Sequence, residues 1–134
     1  MSRLVILQGI PGAGKTFYAR EFVKGKKDWV IVNRDSLREG RGDYWIPEQE
    51  KFISELEEFH IKKALEYGLN VIIDATNLNP TTLAKWDVIA KEFSAEMEFK
   101  MFEVSLEEAI ERDKHRDRTV GEKVIRDFYN RYKL

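Results

Sequence analysis

Four runs of apolar, largely β-branched residues punctuate the chain: Leu4 to Leu7, Trp29 to Val32, Val71 to Ile73, and a less cleanly alternating one from Phe99 to Val104. Runs that are apolar at nearly every position suit strands covered on both faces, as in a parallel sheet. Between them the spacing of apolar residues changes to that of a helix. The first helical pattern extends from Lys15 to about Lys24 and stops at Gly25. The longest extends from about Pro47 to Tyr67, with Phe52, Leu56 and Phe59 at helical spacing and Gly68 as the stop. Asn79 and Pro80 read as the N-cap and first-turn proline of a third helix, which carries Leu83, Trp86, Val88 and Ala90 toward Phe93. Ser105 with Glu108, and Thr119 with Glu122, form capping-box patterns that open two more, the last ending near Tyr132. This alternation predicts a three-layer α/β domain with a four-stranded parallel sheet, right-handed crossovers and a ligand crevice at the carboxyl ends of the strands.

Length and composition narrow the picture. At 134 residues the chain fits one domain, able to bury roughly two thirds of its unfolded surface, and no linker or repeat divides residues 1–134. Hydrophobic residues at 43% and charged residues at 35% are those of a globular, not a disordered, protein. The absence of cysteine excludes disulfides, thiolate catalysis and Cys-type zinc sites. The apolar stretch Leu4 to Leu7 is too short for a signal peptide or membrane span, so a cytoplasmic protein without a membrane partner is expected. Lys plus Arg at 23 against Asp plus Glu at 24 excludes a chain that coats nucleic acid by bulk charge, so any such contact is local. A homo-oligomer is compatible with all of this.

The segment Gly9-Ile10-Pro11-Gly12-Ala13-Gly14-Lys15-Thr16 fits G-x-x-x-x-G-K-[ST] in full, directly after the first strand and before a helix. Glycines let the backbone wrap a phosphate with its N–H groups inward, and the helix that follows adds the positive end of its dipole. Gly9, Pro11, Gly12, Ala13 and Gly14 are therefore read as the cradle of ATP. Lys15 is expected to reach the β- and γ-phosphates, and the Thr16 hydroxyl to ligate Mg²⁺.

The second strand runs into Asn33-Arg34-Asp35-Ser36-Leu37-Arg38, which places Asp35 at the mouth of the crevice. One carboxylate there can accept the proton of an attacking hydroxyl, and Arg38, three residues on, can hold an anionic acceptor. Spacing alone leaves Asp35 as either that base or a helix cap. Asp74 ends the third strand, where it can serve Mg²⁺ or buttress Arg38. Arg112 and Arg116, four apart in a run of mixed charge from Arg112 to Arg118, are candidates for a lid over bound ATP, or else a solvated helix end. Glu48 to Glu58 reads as the wet face of the long helix, and Trp45, beside Tyr44 and Arg41, as a core or loop anchor before a base-stacking residue. His60 and His115 receive no role.

Taken together, GIPGAGKTFYAREF, NRDSLR, VIIDATNLNP with the Trp86 helix, and the Arg112 to Arg116 segment with Tyr129 beyond it resemble the 5′-kinase domain of the bacteriophage polynucleotide kinase-phosphatases. The resemblance implies a P-loop kinase fold with an arginine-bearing C-terminal lid, and transfer of the γ-phosphoryl of ATP to a 5′-hydroxyl of DNA or RNA. It implies that Asp35 is the general base, that Arg38 contacts the phosphate next to the acceptor hydroxyl, that Asp74 supports Arg38, and that Arg116 contacts the ATP phosphates. No DxDGT-type phosphatase motif accompanies these elements, so 3′-end processing is not expected. The Glu39 to Glu50 stretch is shorter than the family's insert near the acceptor. Two other readings share the loop: a small-molecule kinase for a nucleoside, sugar or antibiotic, and a nucleotide-driven switch that hydrolyses ATP slowly.

Overall fold

The structure, a computed structural model, describes residues 1–43, 45–115 and 120–132. Its elements are β1 (Arg3–Gln8), α1 (Lys15–Val23), β2 (Trp29–Asn33), α2 (Arg34–Arg38), a 3₁₀ turn (Pro47–Gln49), α3 (Glu50–Glu66), β3 (Asn70–Asp74), α4 (Pro80–Glu92), β4 (Glu96–Met101), α5 (Leu106–Lys114) and α6 (Glu122–Tyr132). The four strands pair in parallel in the order β2-β3-β1-β4. Alternation along β1 divides its side chains between two cores. Leu4 and Ile6 join Val32, Val71 and Ile73 against Ile61, Leu65, Trp86 and Ile89 of α3 and α4. Val5 and Leu7 join Ile72 against Ala19 of α1 on the opposite face. A third cluster, Ile10, Ala13, Ala109, Ile110 and Ile125, packs α5 and α6 over the glycine loop.

The expected caps form. Asn79 Oδ1 accepts from the Thr81 N–H at 2.8 Å with Pro80 in the first turn, and Ser105 Oγ accepts from the Glu108 N–H at 3.1 Å. Thr119, the other expected cap, lies outside the described residues. From α5, both oxygens of buried Asp113 accept backbone N–H bonds at the start of α6, from Val120 at 2.8 Å and Gly121 at 2.9 Å.

Two expectations need correction. The fourth strand spans Glu96–Met101, not Phe99 to Val104. As an edge strand its position is set by pairing along β1, from Arg3 opposite Glu96 to Gln8 opposite Met101, and Arg3 clasps Glu98 with an ion pair of 2.6 Å. A strand covered on one side only tolerates the charges that masked it, and Val104 packs in the α5 cluster instead. In α3 the Phe52, Leu56 and Phe59 stripe is not the buried one: Phe52 is 56% and Phe59 62% exposed. The buried residues are Ile53, Glu57, Ile61, Ala64 and Leu65. Both stripes have helical spacing, and an acid in the middle of the second disguised it. In α4 likewise, Val88 is exposed and Ile89 is buried.

The VIIDATNLNP segment has a structural job. Asn77 adopts φ +48° and is buried. Its Nδ2 donates to the carbonyls of Leu7 (2.6 Å) and Ile73 (3.2 Å), and its Oδ1 accepts from Trp86 Nε1 at 2.9 Å. One side chain thereby locks the ends of β1 and β3 to α4, and Gly9 begins the glycine loop by donating to the Thr76 carbonyl at 3.1 Å. Buried donors and acceptors are satisfied where the crevice begins, which holds its floor rigid.

Candidate active site

The glycine loop closes directly onto α1. Gly12 has φ +86°, and a Cβ there would lie 2.5 Å from the Ala109 carbonyl oxygen, so only glycine lets α5 seat on the loop. Gly14, at φ +99°, leads into α1 as its N-cap residue. The Lys15 side chain is buried, its Nζ donating to the carbonyls of Gly9 (2.9 Å) and Ile10 (2.8 Å) across the mouth of the loop. Arg112 reaches over the same loop from α5, its Nη1 3.4 Å from the Gly12 carbonyl oxygen while its Nη2 pairs with Glu108 at 2.6 Å. Arg116, the other lid candidate, lies outside the described residues.

The Thr16 Oγ1 donates to Asp74 Oδ2 at 2.8 Å, and Asn33 Nδ2 donates to the same oxygen at 2.6 Å. Asn33 and Asp74 stand opposite each other at the ends of β2 and β3, so sheet register makes this meeting. A hydroxyl and a carboxylate side by side are hard oxygen donors that suit Mg²⁺. Among the described residues no three His, Cys, Asp or Glu side chains gather around an ion position. Two protein oxygens with the remaining ligands from water and phosphate is the arrangement Mg²⁺ adopts with nucleotides. A cavity of about 180 Å³ opens here, lined by Thr16, Arg20, Asn33, Ser36, Leu37 and Asp74.

Across the crevice, the Asn33 side chain also caps α2 by accepting from the Ser36 N–H at 2.9 Å. Asp35 is thus not the cap. Its Oδ1 accepts from Arg38 Nη1 at 3.0 Å, the i, i+3 pairing expected if this segment turned helical. Arg38 is held from the other side by Glu50, which accepts from its Nε at 3.1 Å and from its Nη2. Glu50 also receives Arg34 Nη2 at 3.3 Å and Arg41 Nη1 at 3.4 Å. One carboxylate therefore gathers three guanidinium groups. Arg34 is further fixed by Glu57 (2.8 Å) and the Ser54 hydroxyl (2.8 Å). The Arg38 guanidinium packs on the Trp45 ring, 5.6 Å from its centroid.

Electrostatics separate the two acids. Burial works to raise the Glu50 carboxyl, but the hydrogen bond and charge of Arg38, with Arg34 behind, outweigh it and hold Glu50 below the usual range. Glu57 is only 2% exposed. There burial outweighs Arg34, with Lys85 and Arg38 behind it, and pushes the carboxyl up. Its Oε2 finds no partner among the described residues.

Asp74 accepts hydrogen bonds from Thr16 and Asn33, and Arg38 is held by Asp35 and Glu50. Two sequence readings change. The acidic stretch is not uniformly wet, since Glu50 and Glu57 face inward to arginines. Trp45 is 58% exposed and fills no core. Sequence reasoning missed Asn33, Arg34, Glu50 and Glu57. Only Glu57 left a signal, as an acid within an otherwise apolar helical stripe.

Residues 4–134 match the family model described as an AAA domain. Among curated proteins, the chain is 29% identical over 133 residues to the L-seryl-tRNA(Sec) kinase of Methanococcus maripaludis, covering 96% of this chain and 52% of that protein. It is 32% identical over 126 residues to a protein of Autographa californica nuclear polyhedrosis virus named as a bifunctional polynucleotide kinase/RNA ligase, covering 83% of this chain and 18% of the viral protein. A chain in the structure of the Pnkp1/Rnl/Hen1 RNA repair complex aligns with a TM-score of 0.86 at 30% identity, covering 98% of this chain and 44% of that one. The chain thus spans about half the length of the tRNA kinase and less of the other two. With its family model matched from Leu4 to the last residue, and its parallel sheet and flanking helices laid out as in the P-loop kinases, the chain belongs to the AAA domain family and carries the P-loop kinase fold.

Proposed function

We propose that this protein is an ATP-dependent polynucleotide 5′-hydroxyl kinase of the cytoplasm. The observation that carries the reading is the Asp35–Arg38 pair, fixed by Glu50 just past the end of β2, whose last residue Asn33 shares the Asp74 carboxylate with Thr16 of the glycine loop. Phosphoryl transfer asks a protein mainly for alignment and charge compensation. Gly9, Pro11, Gly12, Ala13 and Gly14 cradle the phosphates of ATP through backbone N–H groups. Lys15 moves its ammonium from the loop carbonyls to the β- and γ-phosphates. Thr16, with Asp74 beside it, would hold Mg²⁺, and the ion would supply charge neutralisation for the phosphates. Asp35 takes the proton of the acceptor hydroxyl as its oxygen bonds to the γ-phosphorus and the bond to the bridging oxygen of ADP breaks. Arg38 grips the phosphate that follows the acceptor nucleotide, and Arg112 with Arg116 covers the transferring group. Kinship with a polynucleotide kinase and with an RNA repair structure supports the nucleic-acid acceptor.

The match to a tRNA kinase favours a second reading, in which the acceptor hydroxyl is carried on an RNA other than at its 5′ end. A small-molecule acceptor is less well supported, because the Asp35 side chain is 41% exposed and paired with Arg38. Incubation with γ-labelled ATP, Mg²⁺ and a panel of 5′-hydroxyl DNA and RNA oligonucleotides, seryl-tRNA, nucleosides and sugars separates these. Label on the oligonucleotides is the expected result. Label confined to seryl-tRNA or to a small molecule would overturn it.

A further inference from the structure

An exposed tryptophan in a segment otherwise organised by charge calls for a reason, since the ring carries a large apolar surface that folding usually hides. Trp45 leaves 58% of itself open. It is nonetheless held in a fixed setting. One side meets the Arg38 guanidinium at 5.6 Å, a cation–π contact, and Arg38 is anchored in turn by Asp35 and by two bonds to Glu50. Arg41, from the same connection, is tied to Glu50 as well, and its side chain is buried. The backbone leaves Trp45 through Ile46 into the 3₁₀ turn at Pro47, whose ring restricts the exit. The aromatic face is therefore placed relative to Asp35 through one intervening side chain: a 3.0 Å hydrogen bond from Asp35 to Arg38, then a packed contact from Arg38 to the ring.

Any acceptor hydroxyl that reaches Asp35 thus brings the rest of its nucleotide toward an open aromatic surface backed by a cation. We propose that Trp45 is the platform on which the nucleobase at the 5′ end of the acceptor strand stacks, while Arg38 serves the phosphate beside it. The proposal rests on the polynucleotide-kinase reading and adds a recognition element to it. Stacking uses the π-face that every base has, so the platform accepts all bases and discriminates against acceptors that have none. It explains why a chain with net charge of −1 needs no broad basic surface: the contact is local, combining a few arginines with one ring.

The test compares 5′-hydroxyl oligonucleotides that differ only in the first nucleotide, normal or abasic, with the wild-type protein, Trp45→Phe and Trp45→Ala. For the wild type, loss of the first base raises KM about tenfold, the effect of one stacked base, and changes kcat less. Trp45→Ala raises KM similarly for the normal oligonucleotide and removes the distinction between normal and abasic ends, and Trp45→Phe retains most of it. Equal KM for the two oligonucleotides with wild-type protein would overturn the proposal, as would an abasic penalty that survives Trp45→Ala. A merely structural role for Trp45 would lower kcat for both oligonucleotides alike, which also overturns it. Were no oligonucleotide labelled by the wild type, the broader reading would fail instead, and that outcome is distinguishable because the base comparison presupposes transfer.

Discussion

The two sides of the crevice are built in opposite ways. The nucleotide side comes from one uninterrupted stretch, Gly9 to Thr16, in which backbone and helix dipole do the binding and the residues that matter are neighbours in sequence. The proposed acceptor side is assembled from Arg34 and Arg38 of α2 and Arg41 of the connection after it, all converging on Glu50 of α3, with Ser54 and Glu57 further along α3 holding Arg34. Binding phosphate with backbone requires glycine at fixed points, such as Gly12 beneath Ala109, and so leaves a signature. Arranging arginines around a carboxylate requires only that the fold bring them together, and leaves almost none.

This contrast predicts unequal responses to substitution. Lys15→Ala strikes the side that every acceptor shares and is expected to lower phosphoryl transfer by about a thousandfold whatever the acceptor, measured as label transfer at saturating ATP. A rate within tenfold of wild type would show that the loop does not hold the reacting phosphates. Next, Asp35→Asn should cost about a hundredfold to ten-thousandfold in kcat while ATP affinity, measured by calorimetry, stays within about twofold. Because Asn33 and not Asp35 caps α2, helix content should be unchanged, and loss of ATP binding together with activity would blur the division between the two sides.

Smaller effects sharpen it. Glu50→Gln leaves three arginines without their shared charge and should cost about 2 kcal/mol of stability along with weaker acceptor binding. Its pH dependence has a definite sign. Glu50 has a folded pKa held below its unfolded value near 4.5, so the stability it contributes is present above that value and is lost as pH falls through the folded pKa. Glu57 behaves oppositely. Its folded pKa is raised, so its contribution is fully present below about pH 4.5 and is lost as pH rises toward the folded value. Denaturant midpoints followed from pH 3 to 7 should lose the first dependence in Glu50→Gln and the second in Glu57→Gln, and unchanged profiles would contradict the assignment. The smallest effect tests α3: Phe59→Ser should shift stability by no more than about 0.5 kcal/mol, whereas Ile53→Ala, earlier in the helix on its buried face, should cost about 2 to 4 kcal/mol.

Much of the fold is legible in the sequence, because it rests on local chemistry. Strands covered on both faces announce themselves as apolar runs, and Asn79, Pro80, Ser105 and the glycine stops act within one turn of where they stand. The edge strand β4 and the buried face of α3 were misread because each depends on what lies beside it. Pairing with β1 decides the first, and the Arg34 partner that lets Glu57 enter the interior decides the second.

By itself the sequence determined the alternation of strand and helix, the glycine loop with Lys15 and Thr16 beside it, and the helical turn after β2 that brings Asp35 to Arg38, since each follows from residues close together along the chain. Tertiary structure alone decided that Asp74 meets Thr16 and Asn33, that Glu50 holds Arg38, that Asp113 accepts the N–H groups at the start of α6, and that Trp45 faces outward. Those are matters of which side chains meet across the fold. Their energies depend on burial and on partners many residues away, and no spacing along the chain encodes them.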